Sequence, residues 1–143
     1  MSASEEFTKV NEEPMLTFGA RMFPFEQEIL RSVGWSLEPA MQRKYKPQVA
    51  CINKVQRLLE WNEIEFYCMR FLKVRWPEAV LFDEKAEFIL ASGTLRTERF
   101  SAEFTVWSVN GHLFSIESLT PLKPFRSAQP EEIETVVIQS GLQ

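Results

Sequence analysis

The sequence Asn110–Gly111, between two apolar segments, constrains the fold more than any other feature of the chain. A two-residue type I′ turn requires positive φ at both central positions, which asparagine and glycine adopt most readily. The pair therefore predicts an antiparallel hairpin over residues 104–117. Because a turn of this type sets the strand register, we expect Val109 to lie opposite His112.

In the predicted register Trp107 lies opposite Phe114, and both faces of the hairpin are apolar. One face carries Trp107, Val109, Phe114 and Ile116. The other face carries Phe100, Phe104, Val106 and Leu113. A sheet with one face in water alternates apolar and polar residues more cleanly than this. We therefore expect the second side to be covered by the C-terminal segment, by a curled sheet around a pocket, or by a second copy of the protein.

Ahead of the hairpin, apolar residues recur with helical spacing. We predict helices over the segments 24–33, 37–45, 48–61 and 63–75. The apolar stripes of the last two point in nearly opposite directions, so the chain should break between them, near Trp61–Asn62. A strand is the alternative for 63–75, because its apolar residues also alternate with polar ones.

After Pro77 the helical pattern is lost. Residues 79–83 and 87–92 predict a second hairpin, although 78–83 could instead begin a helix, since proline and glutamate are common first residues. Pro130 and the apolar residues after it predict a short final helix. The predicted fold class is therefore α+β: three to four N-terminal helices packed on an antiparallel sheet of about four strands, with the short C-terminal helix as an option.

Length and polarity predict the domain organisation. The chain has 143 residues, a common size for one domain. Residues 1–14 are polar and acidic, which predicts a mobile N-terminal arm before a single domain over 15–143. The arm lacks the basic and apolar parts of a signal peptide, and no apolar run reaches the ~20 residues of a membrane span. We therefore expect a cytoplasmic protein with no membrane partner.

The residues that most enzymes use for catalysis are scarce. The single histidine, His112, stands beside the hairpin turn, and the two cysteines, Cys51 and Cys68, stand among apolar residues. The chain cannot supply four Cys or His ligands to zinc, and it has none of the glycine-rich motifs that bind nucleotides. We therefore expect no catalytic residue, no metal and no cofactor.

Charge is unevenly distributed along the chain. The net charge is −4 overall, but residues 43–75 alone carry +5. Within them Arg43, Lys44 and Lys46 surround a tyrosine, a composition that suits an anion or a stacked base. We favour neutralisation by the acidic flanks over a nucleic-acid site, because the whole chain is acidic.

The leading hypothesis is a non-catalytic protein-interaction or binding module whose partner is another protein or a second copy in a homodimer. It depends on the doubly apolar hairpin, and its candidate binding residues are Trp107, Val109, His112, Phe114 and Ile116. The alternative is a small-molecule pocket, with or without enzymatic activity, lined by aromatic residues of the sheet and helices. Its polar candidates are Asp83, His112 and Glu117.

Overall fold

In a computed structural model, which describes residues 16–140, two α-helices precede a series of eight β-strands. The predicted arm over 1–14 lies outside the described residues. The helices are α1 (Pro24–Ser36) and α2 (Pro39–Cys51). The strands are β1 (Lys54–Leu58), β2 (Glu63–Tyr67), β3 (Met69–Arg70), β4 (Lys73–Val74), β5 (Phe88–Arg96), β6 (Ser101–Val109), β7 (His112–Glu117) and β8 (Glu134–Ser140).

Six of the strands form one antiparallel sheet in the order β1-β2-β7-β6-β5-β8. The other two, β3 and β4, form a separate small hairpin. Both helices pack on the same face of the main sheet, α1 against β5 and β8 and α2 against β7. The core lies between them. The apolar stripe predicted for α1 is confirmed, because Phe25, Ile29, Leu30 and Val33 are all fully buried.

The predicted fold class is wrong, because the described residues contain two helices and a mainly antiparallel, sheet-rich fold. The helix predicted over 48–61 does not form: α2 runs through Pro47 to Cys51, and the chain then enters β1. The helix predicted over 63–75 is replaced by β2, β3 and β4. Its apolar residues follow the two-residue period of a strand, and Ile64 and Phe66 point into the core while their neighbours do not.

The predicted C-terminal helix is also a strand, β8, at the edge of the sheet. Its β-branched residues alternate, with Val137 packed on the core while Ile138 is exposed. The predicted hairpin over 79–92 is only half present. Residues Glu78–Val80 form a short 3₁₀ helix, and only the second segment becomes a strand, as the start of β5.

The hairpin of β6 and β7 turns where the sequence predicts. Asn110 and Gly111 have φ values of 55° and 88°, and Val109 lies opposite His112. The next predicted pair, Ser108 and Leu113, is also confirmed. Beyond it the predicted register is wrong by one residue, because Phe114 forms a β-bulge and Trp107 lies opposite Ser115.

The bulge changes which residues share a face. Ile116 moves opposite Val106 on the core face, whereas Trp107 remains on the other side of the sheet. No helix of the described residues is long and apolar enough to cross a membrane.

Candidate functional site

The face of the main sheet turned away from the two helices carries aromatic rings and carboxylates side by side. Strand pairing sets Glu63 opposite Glu117 and places Ser115 between Glu65 and Trp107. We call this surface the aromatic–carboxylate face, and its members are Glu63, Glu65, Tyr67, Trp107, Phe114 and Glu117. A groove of about 910 Å³ runs across part of it, with Leu59 and Leu119 among its lining residues.

The rings of this face are held by specific contacts. The Phe114 ring meets the edge of the Tyr67 ring, with 5.9 Å between centroids and an interplanar angle of 87°. The Trp107 indole Nε1–H donates to Glu117 Oε1 at 3.1 Å, and the Tyr67 hydroxyl donates to Glu65. All three rings remain partly exposed. They are therefore oriented by the protein and still accessible to a ligand.

A buried hydroxyl lies beneath these side chains. Ser115 is 1% exposed, and its Oγ has no hydrogen-bond partner among the described residues. A buried hydroxyl without a partner is costly, and native proteins usually satisfy it. This atom lies at the centre of the aromatic–carboxylate face, because its residue pairs with Glu65 on one side and Trp107 on the other.

The carboxylates of this face repel one another. The pKa of Glu63 is raised to about 7, first by its hydrogen bond with Glu65, then by loss of solvent, and then by the charges of Glu65 and Glu117. The pKa of Tyr67 is raised to about 12, by burial first and then by Glu65 and Glu63. None of the three carboxylates forms an ion pair with a lysine or arginine of the described residues. A cation, Lys54, does lie on this face, with its Nζ over the Tyr67 ring, 5.7 Å from its centroid.

Glu63→Gln is expected to stabilise the protein at pH 8 by about 1 kcal/mol, a value reduced for the screening of a partly exposed group. With a pKa near 7, the folded state retains a proton that the unfolded chain loses near its ordinary value of 4.5. Stability therefore falls as pH rises between about 4.5 and 7, and the penalty persists above pH 7. Urea unfolding of the wild type and the variant at pH 4 and pH 8 measures this difference.

Glu103→Gln provides the matched control, because Glu103 is an exposed carboxylate on β6, which is separated from β2 by β7. It should leave stability nearly unchanged at both pH values. A Glu63→Gln variant that is less stable than the wild type at pH 8 would show that the carboxylate makes a favourable contact instead.

The structure separates the five predicted binding residues. Trp107, Val109 and Phe114 lie on the open side of the sheet and are partly exposed. His112 is 8% exposed, stacks on Trp76 with ring centroids 4.2 Å apart, and has a pKa lowered by burial. Ile116 is fully buried in the core.

The tip of the β6–β7 hairpin is covered by other parts of the chain. The buried Gln48 side chain of α2 donates to the Gly111 carbonyl at 3.2 Å and accepts from the Leu113 amide at 2.9 Å. The amide of Phe82 donates to the Gly111 carbonyl at 2.7 Å. Gly111 and His112 are therefore buried, although Asn110 is exposed, and a large partner cannot reach the His112 ring.

The predicted anion-binding residues lie on α2, but their tyrosine does not join them. Tyr45 is fully buried and its hydroxyl donates to the Leu30 carbonyl at 2.8 Å, so it cannot stack on a base. Arg43 and Lys44 instead line a groove of about 600 Å³ between the helices and the start of β5, while Lys46 is exposed. The groove has apolar and charged walls, and its other main lining residues are Leu37, Met41, Phe82, Asp83, Glu84 and Phe88.

Sequence analysis missed the carboxylates of β2, although a signal was present. Glu63 and Glu65 are two residues apart, so they share a face in a strand but point far apart on a helix. Assigning the segment as a helix therefore hid the cluster.

Among the described residues, no three histidine, cysteine or acidic side chains are placed to hold a metal ion. No protein-family model, curated protein or solved structure matches the chain.

Proposed function

We propose that the protein is a non-catalytic protein-interaction module whose aromatic–carboxylate face binds a positively charged segment of a protein partner. The observation that carries the proposal is the carboxylate cluster of Glu63, Glu65 and Glu117, which forms no ion pair with a cation of the described residues. A cationic partner would relieve the repulsion that raises the pKa of Glu63. Part of the binding free energy would then come from relief of the repulsion between carboxylates in the free protein.

Arginine fits the chemistry of this face better than lysine. Its planar guanidinium can donate two parallel hydrogen bonds to a carboxylate and can also stack on an aromatic ring. Glu117 and the Trp107 indole are joined by a hydrogen bond, so both partners of such an arrangement lie side by side. The partly exposed ring of Phe114 adds further surface for cation–π contact, whereas the Tyr67 ring already has Lys54 Nζ 5.7 Å from its centroid.

A second copy of the chain fits this face less well than a basic partner. Two copies joined through it would bring the three carboxylates of each protomer together, and like charges brought close together cost free energy. A homodimer through this face would therefore need protonated carboxylates. The proposal predicts that the isolated protein is not dimerised through this surface at neutral pH.

Titration with a short arginine-rich peptide, followed by amide and indole resonances, tests the proposed site. We expect the Trp107 Nε1–H resonance to shift and Trp107→Ala or Glu117→Gln to weaken binding about tenfold. Binding should also be weaker at pH 6 than at pH 8, because Glu63, with a pKa of about 7, is mostly protonated at the lower pH. Added salt should weaken it further.

Two control variants lie on the opposite side of the sheet. Trp35→Ala removes a tryptophan that is 44% exposed on α1, and Glu38→Gln neutralises an exposed carboxylate at the start of α2. Neither should change the affinity for the peptide. If these variants weaken binding as much as Trp107→Ala and Glu117→Gln do, the peptide is attracted only by the net negative charge of the protein and not by this face. A dimer at pH 7 that Trp107→Glu dissociates would identify a second copy as the occupant and refute the proposal.

The 600 Å³ groove supports a second candidate function, the binding of a small molecule. Its size, its apolar walls and its two signs of charge are typical of ligand sites. The same resonance assay distinguishes the two functions. A metabolite bound in the groove would shift the amides of Met41 and Phe88, whereas the peptide would shift Trp107.

A further inference from the structure

The small hairpin of β3 and β4 ends in two apolar residues that project into solvent. Met69 pairs with Val74 and Arg70 with Lys73, so Phe71 and Leu72 form a two-residue turn. Each of these two side chains is 95% exposed. They are among the most exposed large apolar residues of the part of the chain that the structure describes.

The fold itself does not account for phenylalanine and leucine at this turn. Phe71 and Leu72 have φ values of 53° and 68°, a conformation that side chains with a Cβ adopt at a cost. The same kind of turn at Asn110–Gly111 uses the residues that adopt it easily. Phe71 and Leu72 gain no burial in exchange, so the free protein is destabilised by its own turn.

Positive charge surrounds the apolar tip. Arg70 and Lys73 flank the turn directly and Arg75 follows, and all three side chains are exposed. Residues 66–77 contain no acidic residue, and the next one, Glu78, lines a small groove together with Arg70 and Arg75. None of the three cations takes part in an ion pair with a carboxylate of the described residues. The tip therefore consists of two apolar side chains next to three cations that form no ion pair.

We propose that this hairpin docks the protein on an anionic lipid bilayer, with Phe71 and Leu72 inserted at the boundary between headgroups and acyl chains. Arg70, Lys73 and Arg75 then contact lipid phosphate and carboxylate groups. Apolar residues that enter the interface and basic residues that attract anionic lipid are the two terms that drive such binding. The inference departs from the sequence-based expectation of no membrane partner, and it does not depend on the proposed function of the sheet face.

A membrane suits the shape of the tip better than a protein surface does. A stable protein interface buries about 800 Å² on each partner around a well-packed centre. The hairpin instead presents two projecting side chains with charged neighbours, a shape that needs no complementary pocket when the partner is a fluid bilayer. Val74, which is 53% exposed beside the tip, extends the apolar surface along one side of the hairpin.

Co-sedimentation of the full chain with vesicles tests this inference. We expect binding to vesicles of phosphatidylcholine and phosphatidylserine, little binding to phosphatidylcholine alone, and a steep loss with added salt. The variant Phe71→Asn/Leu72→Gly installs the residues that this turn prefers, so it should fold at least as stably as the wild type. It should nevertheless bind the anionic vesicles roughly 100-fold more weakly, because both inserted side chains are gone.

Two further variants complete the design. Arg70→Gln/Lys73→Gln should weaken binding roughly tenfold and reduce its salt dependence. Leu119→Ser removes an equally exposed leucine at a different loop and should change nothing. The inference is overturned if anionic vesicles do not sediment the protein at low salt. It is also overturned if neutral vesicles bind equally well, or if the Asn-Gly variant, shown by urea unfolding to be folded, binds like the wild type.

Discussion

Arg57→Ala is expected to destabilise the protein by about 3 kcal/mol or more, because it leaves a carboxylate buried without its cation. Glu26 in α1 is fully buried, and its two oxygens accept from Arg57 Nε at 2.6 Å and Nη2 at 2.7 Å. Without the guanidinium, the described structure leaves only the Phe23 amide, at 2.9 Å, to satisfy that carboxylate. Urea unfolding at neutral pH measures the loss.

Two comparisons separate the buried pair from ordinary surface charge. Arg96 and Glu134 also pair at 2.9 Å, but both side chains are more than 60% exposed, so Arg96→Ala should cost no more than about 1 kcal/mol. The double variant Glu26→Gln/Arg57→Met should be more stable than Arg57→Ala alone, since it leaves no buried charge. Equal losses for Arg57→Ala and Arg96→Ala would contradict the burial argument.

The Glu26–Arg57 pair also explains how an edge strand is held. Strand β1 pairs with only one neighbour in the sheet, β2. The guanidinium of Arg57 connects it to α1, and it also lies over the rings of Phe23 and Trp61, 4.9 Å and 5.1 Å from their centroids. The position of β1 in the sheet therefore depends on the Glu26–Arg57 ion pair, which joins residues far apart in sequence.

Features with local physical causes could be predicted from the sequence. The buried stripe of α1 follows from apolar spacing within a few turns, and the Asn110–Gly111 turn follows from the φ values of its two residues. Both are confirmed. The residues Trp107, Val109 and Phe114 lie on the open face, although the predicted pairing of Trp107 with Phe114 is wrong because of the bulge at Phe114.

Features that depend on distant partners could not be predicted. Residues 63–75 have both helical and strand periodicity, and only pairing of β2 with β1 and β7 decides between them. The carboxylate cluster depends on that pairing, since Glu63 of β2 lies opposite Glu117 of the adjacent strand β7. The turn at Phe71–Leu72 has no sequence signal, because neither residue favours positive φ.

Local sequence preferences and contacts between distant residues contribute differently to the candidate functional surfaces. The helices and the β6–β7 turn build the frame, which local rules describe well. Both candidate surfaces depart from those rules, since one sets like charges opposite each other and the other forces apolar residues into a left-handed turn. Local and global preferences conflict most often at functional sites, which is why we place the proposals there.

Gly93→Ala is expected to cost about 3 kcal/mol, although Gly93 has no positive φ and looks replaceable in a strand. A Cβ at this position would lie 2.1 Å from the Val136 carbonyl oxygen and 3.0 Å from Cζ of Phe104. The first of these atoms is backbone of β8, so the clash can be relieved only by moving the edge strand away from β5. Hydrogen exchange of the β8 amides and urea unfolding together should show both the local and the global loss.

Ser92→Ala is the matched control for this substitution, because Ser92 is the adjacent residue of β5 and its side chain lies on the open face. It should change stability by no more than about 0.5 kcal/mol. If Gly93→Ala is equally mild, the pairing of Gly93 with Val137 and the close approach of β8 would be wrong. A large loss confined to Gly93→Ala would instead show that the edge strand is held by a backbone contact that only glycine permits.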